Sequence, residues 1–206
     1  MTTRSRVIVL PAGAGKPVEE DLSGWPVIQH FEPPEEDFEV GLTDLTHRPK
    51  AFIQGLALDN LANLIPGQAL WTGQAFVGCI KPGEAVLFDL TGPIEQVWPD
   101  SYYTDMTDAW VFLGLWGSRA VDVMQRLVAV DVERPDLKEP FYLITRSHAL
   151  ALQILNPKGK EPGFFLACDR SHGQNLFDSL FHAGQHLGLT VVGLKGFQKW
   201  FERLSL

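Results

Sequence analysis

A short internal repeat is the feature that most constrains how this chain can fold. Asp44-Leu45-Thr46-His47 recurs as Asp105-Met106-Thr107-Asp108, and a β-rich run follows each copy, Lys50–Gln54 in the first and Ala109–Leu115 in the second. A helical pattern comes after each run, and a Pro-Gly turn then leads into another apolar strand. The repeat therefore predicts an α+β fold made of two pseudo-duplicated β-α-β halves with antiparallel sheet.

Four helices are predicted from apolar residues at helical spacing. Ser118 and Ser171 are placed to cap the second and third helices, and Gly188 is placed to end the third. The predicted helices are Ala57–Leu64, Ser118–Val128, a helix between Ser171 and Gly188, and Phe197–Leu204.

Residues 11–41 differ in composition from the rest of the chain. The segment is rich in Gly and Pro and contains the acidic stretch Glu32-Pro33-Pro34-Glu35-Glu36-Asp37. Because proline is disfavoured in helix interiors and central strands, we expect an extended arm here, after an isolated strand at Arg6–Leu10. The predicted division is an extended Gly/Pro/acidic N-terminal arm at residues 1–41 and an α+β domain at residues 42–206.

Composition argues against several classes of function. The 206 residues include 17 basic and 25 acidic side chains, a net charge of −8, and no basic cluster of the kind that tracks nucleic-acid phosphates. No apolar run approaches the ~20 residues of a membrane span, and the first apolar run is too short for a secretory signal. Cys79 and Cys168 are the two cysteines, which we expect to be buried thiols. We therefore expect a cytoplasmic protein without membrane or nucleic-acid partners.

The glycine-rich stretch Pro11–Lys16 superficially resembles a phosphate-binding loop. Such a loop requires a glycine where this chain has Leu10 and a hydroxyl residue where it has Pro17. A flexible arm explains the stretch better than nucleotide binding does.

Two further patterns of chemical residues favour structural roles. His182 and His186 stand four residues apart, as two metal ligands on a helix would, but no third ligand is signalled, so we expect no metal site. Asp44 and Asp105 precede the two strand runs, where they are expected to cap turns and not to perform acid–base chemistry.

Glu161 is the one candidate for ligand binding. It lies in a Gly-rich turn before the apolar run Phe164–Cys168. A carboxylate on such a turn can accept hydrogen bonds from the N–H groups of a pterin or a purine. Most glutamates of this kind are solvated loop residues, so the residues alone leave both interpretations open.

Several motifs resemble the glycine cleavage T-protein (aminomethyltransferase) family. Asp44–Lys50 resembles its opening Asp-Leu-Ser-His-Arg/Met-x-Lys. Thr107–Val123 resembles its mid-domain strand and the following Gly-Pro-x-Ala helix. Gly163–Leu166 resembles the strand after its Gly-Tyr-Thr-Gly-Glu loop, and Gly188–Leu194 its Gly-Leu-x-Pro-x-Gly-Leu segment. The length of the chain and its Pro82-Gly83-Glu84 turn are similar to those of the short sarcosine oxidase gamma subunit.

The resemblance implies a T-protein folate-binding-domain-like fold, with tetrahydrofolate as the cofactor and no metal. Glu161 matches the family's glutamate that contacts the pterin. The family's catalytic aspartate loop is missing where the predicted first helix runs into Ile65-Pro66-Gly67-Gln68, and Phe197-Gln198 replaces the family's Arg-Asp. We therefore assign no catalytic residue and one cofactor-binding residue, Glu161.

Two functions follow from this comparison of motifs. The first is a non-catalytic subunit or binding module of one-carbon metabolism that holds a protein partner or a folate. The partner would be an oxidase, a one-carbon complex or a second copy of the chain, contacted through exposed aromatic residues such as Trp98, Trp116 or Trp200. The alternative is an aminomethyltransferase-like enzyme that transfers a one-carbon unit to tetrahydrofolate. An open polar cavity between the halves with Glu161 on its wall would favour the enzyme, whereas a space filled by Phe and Trp would count against a folate role.

Overall fold

A computed structural model describes residues 4, 8–34, 38–55, 64–92, 101–134, 136–137, 140–147, 149–157 and 159–204. None of the helices in these ranges is long and apolar enough to cross a membrane. In chain order the elements are β1 Lys16–Leu22, β2 Trp25–Glu32, β3 Val40–Asp44, β4 Lys50–Gln54, β5 Ala69–Trp71, β6 Ala75–Lys81, β7 Glu84–Asp89, β8 Tyr102–Asp105, β9 Trp110–Trp116, α1 Ala120–Leu127, β10 Phe141–Ser147, β11 Leu150–Asn156, β12 Gly163–Asp169, α2 Gly173–Gly184, β13 Leu189–Val191 and α3 Leu194–Phe201.

The two halves of the repeat exchange one strand each. The five-stranded sheet has the order β5-β6-β7-β4-β8, so its last strand comes from the second half. The six-stranded sheet has the order β10-β11-β12-β9-β3-β13, so β3 is contributed by the first half. The first five strands of this order repeat the arrangement of the other sheet, and they pair antiparallel throughout. The predicted α+β class with pseudo-duplicated halves is confirmed, with one parallel pair, β13 with β3, added at the edge.

The first copy of the repeated motif ties the end of β3 to β9. The Asp44 carboxylate accepts a hydrogen bond from the Thr46 amide at 2.9 Å, which closes a tight turn. The Thr46 hydroxyl in turn accepts from the Phe112 amide on β9 at 3.1 Å. We call this turn, together with the strand amide bound by its threonine, a clasp.

The second copy of the motif forms an equivalent clasp, which ties the end of β8 to β4. The Asp105 carboxylate accepts from the Thr107 amide at 2.8 Å. The Thr107 hydroxyl accepts from the Lys50 amide at the start of β4, at 3.1 Å. Each half therefore binds one strand of the other half, β9 or β4, and the prediction that both aspartates cap turns is confirmed.

Successive side chains of β9 point to opposite faces of the sheet, so its buried residues belong to two different hydrophobic cores. Val111, Leu113 and Leu115 belong to the cluster formed with α1 and α2. Phe112 and Trp116 belong to a second cluster, which also contains residues of the five-stranded sheet and of α3. The six-stranded sheet is therefore covered by helices on one face and by the second sheet on the other.

The described residues of the segment at 11–41 do not form the isolated extended arm that we expected. Its strands β1 and β2 form an antiparallel hairpin, and Trp25 and Val27 are buried in the core that α3 shares. Pro17 and Pro26 are tolerated because both strands of a two-stranded sheet are edge strands, where a missing N–H need not interrupt a ladder. The division into domains at residue 41 remains a prediction.

The predicted helix caps are wrong at two positions. Ser118 makes no cap for α1, because its hydroxyl donates to the Glu39 carboxylate at 2.5 Å. Before α2, a 3-10 turn at Arg170–His172 is capped by Asp169, which accepts from the Ser171 amide at 2.9 Å. The carboxylate is the better acceptor and lies two residues earlier, so the helical segment begins before the predicted serine.

Other boundaries shift by a few residues. The end of the α2 region at Gly188 is confirmed, since this glycine has the left-handed φ of +77°. The last helix begins at Leu194, three residues earlier than the predicted Phe197. Of the predicted helix Ala57–Leu64, residues 57–63 lie outside the described residues. The same holds for Arg6 and Val7 of the predicted early strand.

The clasps predict the effect of removing either hydroxyl. In Thr46→Val the buried Phe112 amide loses its acceptor, so we expect the free energy of unfolding to fall by about 1–3 kcal/mol, and Thr107→Val should cost a similar amount. Urea unfolding measures both. Thr104→Val, at an exposed position on β8, is the matched control and should change stability by less than about 0.5 kcal/mol. A Thr46→Val variant as stable as the control would contradict the role of the clasp.

Candidate functional site

Aromatic rings fill the space between the two sheets. Phe76 and Phe88 extend from the five-stranded sheet, and Phe112 and Phe165 extend from the six-stranded sheet. Phe88 and Phe112 stack with ring centroids 4.9 Å apart, and Phe76 and Phe165 are 6.0 Å apart. The space in which a polar pocket could have formed is therefore occupied by packed rings, the arrangement that counts against a folate role.

Helix α3 extends this aromatic layer with its apolar face. Trp200 stacks on Trp116 at 5.6 Å, and its indole lies so close to Gly163 that a Cβ there would be 2.2 Å from the ring. Trp116 is 4% exposed and Trp200 is 1% exposed. The expectation that they form a surface hot spot is therefore wrong, because the helical spacing that includes Trp200 marks a core face. Trp98 lies outside the described residues.

Glu161 lies on the exposed turn before β12. Its carboxylate accepts a hydrogen bond from the Arg203 guanidinium at 3.4 Å, and about half of the Glu161 side chain is exposed. The aromatic layer begins two residues later, at Gly163 beneath the Trp200 indole. The assignment of Glu161 as a pterin contact remains a prediction.

Lys50, the last residue of the first motif, is completely buried. Its ammonium donates to the carbonyls of Thr46 at 2.7 Å and Arg48 at 2.8 Å and lies 5.9 Å from the centre of the Phe112 ring. Burial lowers the pKa of Lys50 to about 7, although nearby carboxylates, Asp44 first among them, oppose the shift. Through these contacts the buried Lys50 side chain stabilises the clasp, and its ammonium is not accessible to a substrate.

His47 lies beside Lys50 in a similar setting. Burial lowers the pKa of His47 to about 3, and the charges of Arg48 and Lys50 add to the effect, so the imidazole is neutral near pH 7. The adjoining cavity, lined in part by Trp25 and Thr46, has a volume of about 20 Å³. This is room for about one water molecule, so the cluster is too closed to bind a substrate.

Asp89 is the buried carboxylate of the first half. It accepts hydrogen bonds from the amides of Thr91 and Gly92 at 2.8 Å each and from Gln74 at 3.2 Å. Burial raises the pKa of Asp89, while these hydrogen bonds partly oppose the shift. With both of its oxygens engaged in this way, Asp89 orders the turn after β7 and is not placed as an acid catalyst.

The two cysteines and the helical pair His182 and His186 show no reactive arrangement among the residues that the structure describes. His182 lies in the last turn of α2 with its Nδ1 atom 3.1 Å from the Asp178 carbonyl, while His186 lies in the following 3-10 turn, and both are exposed. In the ranges that the structure describes, no group of three or more His, Cys, Asp or Glu side chains could hold a metal ion. Cys79 and Cys168 are free, buried thiols, and burial raises the pKa of both, that of Cys168 to about 12.

Two cavities open on the surface. One, of about 460 Å³, lies between the loop at residues 11–15 and the edge strand β13, with an apolar lining that includes Phe181 and Leu189. The other, of about 390 Å³, lies beside α3, and we call it the basic groove. The residues that define the basic groove are His30, Phe38, Trp116, Lys195, Lys199 and Arg203.

Sequence reasoning did not find the basic groove. Its signal was the spacing of Lys195 and Lys199, four residues apart on the helix whose other face carries Phe197 and Trp200. The remaining lining residues come from distant parts of the chain, so only the fold brings them together.

Comparison with known proteins identifies the class of fold. No family model matches the sequence. Among solved structures, the glycine cleavage system aminomethyltransferase T of Bartonella henselae superposes with a TM-score of 0.67 at 15% identity, over 88% of this chain and 57% of that chain. A chain of the heterotetrameric sarcosine oxidase of Corynebacterium sp. U-96, in complex with pyrrole 2-carboxylate, superposes with a TM-score of 0.60 at 14% identity, over 77% of this chain and 90% of that chain.

A similarity in sequence points in the same direction. An aminomethyltransferase of Bacillus velezensis is 24% identical over an alignment 209 positions long, which covers 84% of this chain. The chain spans 56% of the length of this curated relative. The resemblance to T-proteins and to sarcosine oxidase that the motifs indicated is confirmed, and the chain has their α+β fold.

The lowered pKa of Lys50 predicts how the free energy of unfolding depends on pH. Its pKa is about 7 in the folded protein, whereas a lysine in an unfolded chain titrates near 10.4, so the unfolded state binds more protons between these values. The free energy of unfolding should therefore rise by about 1.5 kcal/mol from about pH 7 to about pH 8.5. Urea unfolding of Lys50→Met at the two pH values should show this rise removed, and Lys160→Met, at an exposed lysine, should retain it. An equal rise in wild type and Lys50→Met would contradict the lowered pKa of Lys50.

Proposed function

We propose that this chain is a non-catalytic subunit of one-carbon metabolism, a T-protein-like domain that binds a partner protein. The observation that carries the proposal is the aromatic layer, in which Phe76, Phe112 and Phe165 occupy the space between the sheets. A transferase would need an open site there that positions the folate nitrogen next to the carbon donor. The burial of Asp89 and Lys50 within the fold further supports a structural role for its ionisable groups.

The similarity to sarcosine oxidase supports assembly with other chains. The matching chain is part of a heterotetramer, and the present chain covers 90% of it. We infer that this protein likewise serves as one subunit of a larger enzyme, with an oxidase or a one-carbon complex as its partner. Its two free, buried cysteines are in keeping with the reducing cytoplasm that we propose as its location.

The second candidate is an aminomethyltransferase-like enzyme, favoured by the 24% identity to an aminomethyltransferase. In that case tetrahydrofolate would be bound with Glu161 as a pterin contact. Arg203 already engages the Glu161 carboxylate, so a pterin would have to displace this ion pair or share it.

Calorimetric titration with tetrahydrofolate and folinic acid separates the two candidates. For a non-catalytic subunit we expect no heat of binding up to millimolar ligand, with wild type, Glu161→Ala and Glu202→Ala behaving alike. Glu202 is an exposed glutamate near the end of α3 and provides the matched control. Micromolar binding that is lost in Glu161→Ala and kept in Glu202→Ala would overturn the proposal and favour the enzyme.

The partner itself is tested by purifying the tagged chain from its native cell and measuring the mass of the assembly by light scattering. We expect a discrete complex of fixed stoichiometry that contains a second protein. A chain recovered only as a monomer, or only with its own copies, would contradict the role as a subunit of a larger enzyme.

A further inference from the structure

We propose that the basic groove receives an acidic, extended segment of the partner subunit, with carboxylates at alternate positions and aromatic residues between them. This inference rests on the proposed function and names the chemistry by which the partner is recognised. The groove combines the two features that such a segment would need, a row of cations and an apolar surface beside them.

The row of cations lies along α3 and the turn that follows it. Lys195 and Lys199 are exposed and form no ion pair with any residue that the structure describes, while Arg203 has one weak carboxylate contact, with Glu161 at 3.4 Å. The whole chain carries a net charge of −8, whereas the charged side chains that line this groove are the basic residues Lys195, Lys199 and Arg203. Such a patch attracts and orients a negatively charged partner.

The spacing of the cations suits an extended chain. Four helical residues rise by about 6 Å, so Lys195 and Lys199 lie about 6 Å apart along the axis of α3, and Arg203 follows in the turn after the helix. Alternate residues of an extended strand are about 6.6–6.8 Å apart, which nearly matches one helical turn. Carboxylates at every second position can therefore meet successive cations, while the intervening side chains point to the other side.

The apolar lining can receive those intervening side chains. Phe38 is half-buried and packs edge-on against Trp116 with centroids 5.2 Å apart, and both rings line the groove. Aromatic anchors in a partially desolvated pocket contribute most of the binding energy at many interfaces.

An unpaired buried atom of His30 is an independent indication that the groove receives a binding partner. Its Nδ1 atom is buried and has no hydrogen-bond partner among the described residues, although the ring lines the groove. Buried polar atoms are nearly always paired in folded proteins, and a backbone N–H or C=O of an incoming segment could pair with this one.

Fluorescence anisotropy with a labelled Asp-Phe-Asp-Phe-Asp peptide tests the groove directly. We expect the wild-type protein to bind this peptide, and Lys195→Glu/Lys199→Glu to weaken binding at least about tenfold, because attraction becomes repulsion. Arg126→Glu/Arg146→Glu changes the net charge equally at exposed positions elsewhere and should leave affinity within about twofold. Circular dichroism of both double variants checks that each is folded.

Two results with the peptide would overturn the inference. One is equal affinity for both double variants, which would make binding a matter of net charge alone. The other is binding that appears only in Glu35→Gln/Glu36→Gln/Asp37→Asn, which would make the protein's own acidic stretch the occupant of the groove.

The native assembly separates failure of the groove from failure of the proposed function. Loss of the assembly in Lys195→Glu/Lys199→Glu, with retention in Arg126→Glu/Arg146→Glu, supports the groove as the docking site. An assembly that survives in both variants overturns the groove and leaves the subunit role intact. The absence of an assembly with the wild-type chain overturns the proposed function, and with it the groove.

Discussion

The reciprocal hydrogen bonds of two Asp-x-Thr turns organise the whole fold. Thr46 of the first half binds the Phe112 amide of the second, and Thr107 of the second binds the Lys50 amide of the first. Because each half supplies a strand to the sheet of the other, neither sheet is complete on its own. The exchange also sets the two sheets face to face, so the residues that alternate inward must pack against one another.

The aromatic layer is the consequence of this arrangement that bears on function. Phe165 contacts rings from both sheets and from α3, so packed rings fill the space between the described parts of the two sheets. On the outer surface the fold places Lys195, Lys199 and Arg203 beside the half-buried Phe38 and the buried Trp116. The filled centre and the basic groove are the two observations that support our proposal of a partner-binding domain.

The sequence contained enough information to predict the class of fold but not the environment of its residues. The repeat around Asp44 and Asp105 predicted both turns and the duplicated halves, because turn chemistry is local. It could not show that Lys50 is buried or that Trp116 and Trp200 face inward, since burial depends on residues distant along the chain. The hairpin of β1 and β2 was missed because proline excludes a segment from helix interiors and central strands but is tolerated in edge strands. Proline content alone does not show whether a strand lies at the edge of a sheet. The basic groove was also missed because its residues are distant along the chain: His30, Trp116 and α3 meet only in the folded protein.

The central claim is that the crossed halves form one cooperative unit whose interior does not open to ligands. Hydrogen exchange of the Phe112 and Lys50 amides, one in each clasp, tests it most directly. Both should exchange with the same opening free energy, equal to that of global unfolding in urea. A much lower opening free energy for one amide than for the other would show that a half opens separately, and would contradict the account.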